Sequence, residues 1–187
     1  MGHRVLIVYG TTEGQTEKIA FAIAARLRAA GDTVETLRAE RAAGNLDLGL
    51  YDGVLVGGSV HAGRHQRAVV AFAREHRASL GRSHGGFFSV SLSQAHHTEE
   101  GRQGAMECAD RFVSDTGWSP ERMALFAGAL RYSRYGFFKR WMLKRIAARA
   151  GGPTDTSHDY ELTDWTSVAR FADAFHAALD RTAPAAE

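Results

Sequence analysis

Hydroxyl side chains and glycines cluster in a short segment near the amino terminus, where an apolar run gives way to a helical pattern. Residues 10–16 of this segment read GTTEGQT. Its three threonine hydroxyls and the backbone N–H groups at the start of a helix can bind an anion, because such N–H groups lack helical partners and the helix dipole favours negative charge. The segment carries no cation and Glu13 is acidic, so we predict an anion site built from neutral donors.

Two common nucleotide-binding motifs do not match this segment. The Gly-Lys-Ser/Thr ending of a Walker A loop is missing, and the spacing is not GxGxxG. A simpler interpretation is that Thr11 and Thr12 only cap the helix that follows. Both interpretations place the segment directly before a helix.

Strand and helix patterns alternate along the chain. The predicted strands are Arg4–Tyr9, Thr33–Leu37, Gly53–Val56, Gly86–Leu92 and Met123–Leu130. The predicted helices are Thr16–Ala30, Arg67–Leu80, Glu99–Thr116 and Thr163–Leu179. This alternation predicts an α/β fold with a doubly wound parallel sheet that is covered on both faces. Ligands of such sheets bind beyond the carboxyl ends of the strands, which is where the first loop lies.

Length and composition are those of one globular domain. The chain has 187 residues and a formal charge of +2, and this length suits a single domain with a substantial core. We predict that the domain covers residues 1–181 and that Thr182–Glu187 form a loose tail. No signal peptide or membrane-spanning stretch is visible. The single cysteine, Cys108, excludes an internal disulfide and favours a reducing cytosolic setting, and its helical surroundings predict burial.

Three segments resemble the flavin loops of flavodoxins. Residues 7–16 match the flavodoxin pattern of two aliphatics, an aromatic, a threonine two places on and then Gly-x-Thr; in that family the loop wraps the phosphate of FMN. Residues 57–63 resemble the second flavin loop, and residues 91–93 fall where the third would be. The resemblance implies bound FMN and five strands in the order 2-1-3-4-5. The flavin-binding residues that it implies are Gly10, Thr11, Thr12, Glu13, Gly14, Gln15, Thr16, Ser59, Val60, His61, Gly63, Ser91, Leu92 and Ser93. His61 is interpreted either as a partner of the reduced flavin or as a solvent-facing loop residue.

Other segments are similar to a narrower family. FFSVSL (87–92), AGALRYSRYGFFKRWMLKRIAARAGGPTDT (127–156) and YELTDW (160–165) resemble the quinone-dependent protoporphyrinogen IX dehydrogenases. Members of that family carry a long insertion near the fifth strand, and Arg131–Leu162 occupies this place. The resemblance implies FMN-dependent oxidation of protoporphyrinogen IX to protoporphyrin IX, in haem biosynthesis, with electrons passed to menaquinone or ubiquinone.

That chemistry needs no catalytic side chain. A flavin accepts hydride at N5, and the protein supplies binding and orientation. We therefore expect no nucleophile, paired carboxylate or metal. A metal is not expected from His96, His97, Glu99 and Cys108 either, because their spacing matches no standard ligand set.

The predicted insertion is strongly cationic. It contains seven basic residues that no acid interrupts, namely Arg131, Arg134, Lys139, Arg140, Lys144, Arg145 and Arg149. If Phe137–Ala150 is helical, Phe137 and Trp141 lie beside Arg140 and Lys144. We predict that this surface meets the porphyrinogen, the quinone or an anionic membrane, which implies a cytoplasmic protein at the inner face of the cell membrane. The alternative is an ordinary helix whose aromatic residues pack under a loop. No groove-reading motif accompanies the basic run, so we expect no nucleic-acid partner.

Several functions stay open at this stage. Besides the dehydrogenase, the chain fits a flavodoxin-type electron carrier, an NAD(P)H-quinone reductase, or a module that lost its flavin. The cationic insertion argues against a carrier, since carriers commonly present an acidic face, and the intact loop at residues 11–16 argues against loss of flavin. Protoporphyrinogen and coproporphyrinogen both remain possible substrates, and the oligomeric state is open.

Overall fold

A sheet with five parallel strands forms the centre of the protein. The computed structural model of the chain describes residues 2–42, 46–95, 99–130, 155 and 157–181. The strands of the described residues are β1 (Arg4–Gly10), β2 (Thr33–Arg38), β3 (Gly53–His61), β4 (Arg64–His65), β5 (His84–Ser91), β6 (Arg122–Ala127), β7 (Ala129–Leu130) and β8 (Tyr160–Glu161). The parallel strands lie in the order β2-β1-β3-β5-β6. When only these five strands are numbered, in chain order, their order is 2-1-3-4-5, and the predicted order is confirmed.

Helices cover both faces of the sheet. The described helices are α1 (Gln15–Ala29), α2 (Arg67–Glu75), α3 (Arg77–Leu80), α4 (Glu99–Thr116) and α5 (Trp165–Asp180). On one face α1 and α5 pack against alternate β1 residues such as Val5 and Ile7. On the other face α2 and α4 pack against Leu6 and Val8. Burial of both faces explains why the strands are continuous apolar runs rather than alternating patterns.

The third parallel strand is longer than predicted and ends in a hairpin. The apolar run predicts a strand that ends at Val56, followed by a loop. Gly57 and Gly58 instead continue β3, because each pairs with β1 on one side and β5 on the other. The strand then turns back on itself, and the two-residue strand β4 pairs with it in antiparallel fashion. The predicted helix 67–80 is also divided, since His76 leaves the helical region with φ −96° and ψ 12°.

The predicted fifth strand, 123–130, is divided at Gly128. Residues up to Ala127 pair with β5, but β5 ends at Ser91 and the chain then forms a short 3₁₀ turn at Ser93–Ala95. Beyond that point none of the described strands lies parallel to β6 and pairs with it. Residues 129–130 pair with β8 instead, in an antiparallel ribbon. Between these two short strands lies most of the predicted insertion.

Some predictions concern residues outside the part of the chain that the structure describes. Phe137, Arg140, Trp141 and Lys144 lie outside the described residues, as does the predicted tail at 182–187. Among the helices that the structure does describe, none has both the length and the apolar character needed to cross a membrane.

Candidate functional site

A cavity of about 510 Å³ opens at the carboxyl ends of β1, β3 and β5. Its lining combines the three predicted flavin segments with the link between β6 and β7: Thr11, Thr12, Glu13, Gln15, Thr16, Ser59, Val60, His61, Ala62, Gly63, Val90, Ser91, Leu92, Ser93, Gly128 and Ala129. The volume lies within the range of about 300–1,000 Å³ that is usual for small-molecule sites. The fold therefore brings the three segments together, although they are far apart in the sequence.

The first loop presents its hydroxyls at the start of α1. Thr11 Oγ1 accepts a hydrogen bond from the Gly14 backbone N–H at 2.9 Å, which closes the loop. Gly14 has a φ of +93°, a backbone conformation that glycine adopts without the penalty of a side chain. Gly14, and neither Thr11 nor Thr12, is the N-cap residue of α1, and the hydrogen bonds given for the two threonine hydroxyls come from Gly14 N and Gln66 Nε2 rather than from the first turn of the helix. The simpler interpretation, in which Thr11 and Thr12 only cap the helix, is therefore wrong.

The side-chain hydroxyl of Thr16 is buried and has no hydrogen-bond partner within the described structure. A buried hydroxyl without a partner costs roughly 1–3 kcal/mol, so such an atom points to a ligand that binds there. Thr16 lines the cavity, and a bound anion would give the hydroxyl an acceptor.

Gln66, which no sequence pattern marks, joins the first two segments. Its Nε2 donates to Thr12 Oγ1 at 3.1 Å and also to Ser59 Oγ. Its Oε1 is buried without a partner among the described residues. Because Thr11 and Thr12 accept hydrogen bonds through Oγ1, each still has its own O–H to donate, since a hydroxyl combines one donor with two acceptor lone pairs.

Two residues of the predicted set, Gln15 and Gly10, have structural roles next to the cavity. Gln15 is buried, and its Nε2 donates to Thr163 Oγ1 at 2.9 Å; that hydroxyl in turn donates to the Ala127 carbonyl at 2.7 Å. This chain of bonds ties the start of α1 to the end of β6. Gly10 does not line the cavity, and a Cβ at this position would lie 2.4 Å from Val69 Cγ2. Its role is to let α2 pack closely against β1.

The second segment forms a tight hairpin at the mouth of the cavity. Ala62 and Gly63 have φ values of +50° and +74°, and His61 pairs with Arg64. Positive φ at both central residues is the signature of a two-residue type I′ turn. His61 is exposed and lines the cavity. Arg111 of α4 stabilises the turn, because its Nη1 donates to the Gly63 carbonyl at 3.3 Å.

A buried histidine lies beneath that hairpin. His65 Nε2 is hydrogen-bonded to Ser89 Oγ at 2.9 Å, and its ring packs edge-on against Phe87 and Phe112. Burial among these aromatic rings lowers the pKa of His65 from 6.5 to about 4, because the charged form loses its hydration there. The imidazole is therefore neutral at pH 7. No pattern in the sequence marked this residue.

The third segment is fastened to the start of the predicted insertion. Ser91 is buried, its Oγ accepts from the Gln94 N–H at 3.2 Å, and its carbonyl accepts from the Gly128 N–H at 3.1 Å. Leu162 N donates to the Gly128 carbonyl at 3.1 Å. Since β7 and β8 pair as well, both ends of the segment between them are held next to the cavity.

An anion in this cavity would be bound by neutral donors, because Glu13 is the acidic residue of the described lining and no cation accompanies it. As far as the structure describes them, the lining residues include no lysine or arginine. Hydroxyls and backbone N–H groups at a helix N-terminus can bind a phosphate on their own. Within the described ranges, no three His, Cys, Asp or Glu side chains are grouped so that they could hold a metal ion. Cys108 is half-buried on α4, so the prediction that it is buried is met only in part.

Comparisons with known proteins agree with this architecture. A family model described as a flavodoxin domain matches residues 6–157. The protein named protoporphyrinogen IX dehydrogenase [quinone] in Escherichia coli strain K12 is 34% identical over 169 residues, which cover 90% of this chain and 92% of that protein. A protein of the same name in Leishmania major is 32% identical over 185 residues, covering 97% of this chain and 78% of that protein.

Solved structures show the same fold at low sequence identity. Oxidised flavodoxin 1 from Bacillus cereus superimposes with a TM-score of 0.53 at 15% identity, covering 92% of this chain and 96% of that one. The rubredoxin oxygen:oxidoreductase of Desulfovibrio gigas gives a TM-score of 0.55 at 15% identity, covering 97% of this chain and 37% of that one. Taken with the family model and the relatives above, these findings show that the chain is a flavodoxin-domain protein that belongs to the family of quinone-dependent protoporphyrinogen IX dehydrogenases.

Proposed function

We propose that the protein oxidises protoporphyrinogen IX to protoporphyrin IX, using bound FMN and a quinone as the electron acceptor. Family membership supports the reaction, because the Escherichia coli and Leishmania major relatives carry this name. The observation that supports the cofactor is the buried Thr16 hydroxyl, which lines the cavity at the start of α1 without a partner among the described residues.

The residues of the first loop suit the phosphate of FMN. Thr11, Thr12 and Thr16 supply hydroxyl donors, and the first turn of α1 supplies backbone N–H groups. The helix dipole adds a favourable interaction with a negative group at this end. Gln66 holds Thr12 and Ser59 in place, so the phosphate loop and the hairpin segment are fixed relative to each other.

The other two segments suit the flavin ring. Residues 59–63 and 91–93 line the same cavity, and it is these residues that would hold the ring. When bound, the flavin supplies the redox chemistry, which is to accept hydride from the porphyrinogen and to pass the electrons to the quinone. The chain's task is then to orient the ring, to exclude water from it and to admit two apolar partners.

We also propose that the insertion forms the surface for these partners. Its ends are held beside the cavity by the β7–β8 pair and by the bond between Leu162 and Gly128. Phe137, Arg140, Trp141 and Lys144 combine aromatic and cationic side chains, which suit an anionic porphyrinogen and an anionic membrane surface alike. Peripheral attachment to the inner face of the cell membrane would bring the protein close to its lipophilic quinone.

Two measurements test the proposed function. Mass spectrometry of the cofactor released from the purified, reconstituted protein should detect FMN, whereas FAD or no flavin would contradict the cofactor assignment. The FMN-loaded protein should oxidise protoporphyrinogen IX under anaerobic conditions only when a quinone is added, with coproporphyrinogen assayed in parallel. If the flavin can be reduced but the protein does not oxidise porphyrinogen, the result would instead support the function of a flavodoxin-type electron carrier.

A further inference from the structure

A second cavity, of about 450 Å³, lies on the other side of the hairpin, between α2 and α4. Four arginines line it: Arg64, Arg67, Arg74 and Arg111. Asp115 is the acid among its described lining residues, and Val70 and Phe112 contribute apolar surface. We call this cavity the arginine groove. Its combination of apolar walls and cationic edges suits a ligand with an apolar body and acidic substituents.

The positive charge of the groove is largely unneutralised within the described structure. Arg74 donates to the Asp115 backbone carbonyl at 3.0 and 2.6 Å, and Arg111 donates to the Gly63 carbonyl; neither contact involves a carboxylate. Arg64 lies 3.7 Å from the Asp115 carboxylate, and the Arg64 side chain is largely solvent-exposed. The Arg67 guanidinium forms no hydrogen bond or ion pair with the described residues. Guanidinium groups that are not neutralised by a carboxylate of the protein can bind a carboxylate of a ligand.

The groove and the proposed flavin cavity share a wall. Ala62 and Gly63 line the flavin cavity, whereas the next two residues, Arg64 and His65, line the groove. The guanidinium of Arg111, which lines the groove, reaches this wall, because its Nη1 donates to the Gly63 carbonyl at 3.3 Å. A flat ligand that lies over the cavity can therefore extend its substituents across the hairpin into the groove.

We propose that the arginine groove binds the carboxylates of the porphyrinogen substrate while the apolar ring of that substrate lies across the hairpin towards the flavin cavity. This inference rests on the proposed function, because it takes a tetrapyrrole with propionate side chains as the substrate. Guanidinium groups bind carboxylates with paired, charge-assisted hydrogen bonds. The residues most directly involved are Arg64 and Arg67, which stand at the end of the hairpin and at the start of α2.

The test compares an acidic porphyrin with its neutral ester. The full chain, loaded with FMN, is titrated with protoporphyrin IX or with its dimethyl ester in the same detergent, and binding is followed by porphyrin fluorescence. R64Q/R67Q should weaken binding of the free acid by roughly tenfold, because charge-assisted hydrogen bonds are lost, and should leave the ester's affinity and the FMN affinity unchanged. R67Q alone, which removes no described contact, should show a smaller loss. R82Q is the matched control, since Arg82 is exposed at the opposite end of the sheet, and should bind like the parent.

The possible outcomes separate this inference from the proposed function. Unchanged binding of the acid in R64Q/R67Q, an equal loss for acid and ester, or no porphyrin binding by the parent overturns the inference. The inference is also overturned if R64Q/R67Q binds porphyrin like the parent but no longer binds phosphatidylglycerol vesicles. The groove would then be a membrane surface. If the parent oxidises porphyrinogen and R64Q/R67Q has the same KM, the inference alone fails. If the parent binds the acid through these arginines but oxidises no porphyrinogen, the proposed function fails and the carboxylate site stands.

Discussion

Protonation of His65 should destabilise the protein in mildly acidic solution. The side chain is buried under the hairpin, bonded to Ser89 and enclosed by Phe87 and Phe112. Its folded-state pKa is about 4, against an ordinary value of 6.5. Between these values the unfolded chain binds a proton that the folded chain does not, so stability falls as the pH falls. The contribution is fully present above pH 6.5 and is lost on the way down to pH 4.

The size of this effect follows from the two pKa values. Each pKa unit corresponds to about 1.4 kcal/mol, so the complete loss below pH 4 is about 3 kcal/mol. At pH 5 the same two values give a loss of about 2 kcal/mol relative to neutral pH. A loss of this size is a large fraction of the stability of an ordinary domain, which is roughly 5–15 kcal/mol.

The assay is urea unfolding of the flavin-free protein between pH 7.5 and pH 5, with H65Q as the reference. Glutamine keeps a donor and an acceptor towards Ser89 but does not titrate, so H65Q should lose the His65 part of the pH dependence. Other titrating groups are common to both proteins and cancel in the difference. The stability of the parent minus that of H65Q should therefore fall by about 2 kcal/mol from pH 7.5 to pH 5. A difference that stays constant across this range would refute the argument that His65 is buried in its neutral form.

Other predictions concern the loop and the insertion. T16A should weaken FMN binding by about tenfold or more, because a hydrogen bond to a charged partner is worth roughly 1.5–3 kcal/mol; equal affinity in a fluorescence titration would contradict the phosphate assignment. Q66A should also weaken FMN binding, since it releases Thr12 and Ser59 from each other, whereas C108S should bind FMN like the parent in the same titration. R140E/K144E should keep its flavin and its fold but bind anionic liposomes less tightly, with the parent's binding falling as salt is added. Cosedimentation that is the same for this variant and the parent would show that the insertion is not a membrane surface.

Local patterns in the sequence were sufficient for the fold and for the place of the first loop within it. The helical or strand spacing of apolar residues is visible over a few neighbouring positions. The helices α1 and α4 and the five parallel strands could therefore be predicted from the sequence alone. The rule that ligands bind at the carboxyl ends of parallel strands then placed the Thr11–Thr16 segment correctly in the architecture. The resemblance to flavodoxins added the other two segments, and the fold brings all three to one cavity.

Contacts between distant parts of the chain needed the tertiary structure. Gln66 is 54 residues from Thr12, and no local pattern marks it as the link between two loops. His65 was missed for the same reason, because its low pKa arises from Phe87 and Phe112 on other elements. The arginine groove combines side chains of β4, α2 and α4, which a sequence shows only as scattered cations. Packing determines which side chains meet and how much water they lose, and both depend on contacts between elements that are far apart along the chain.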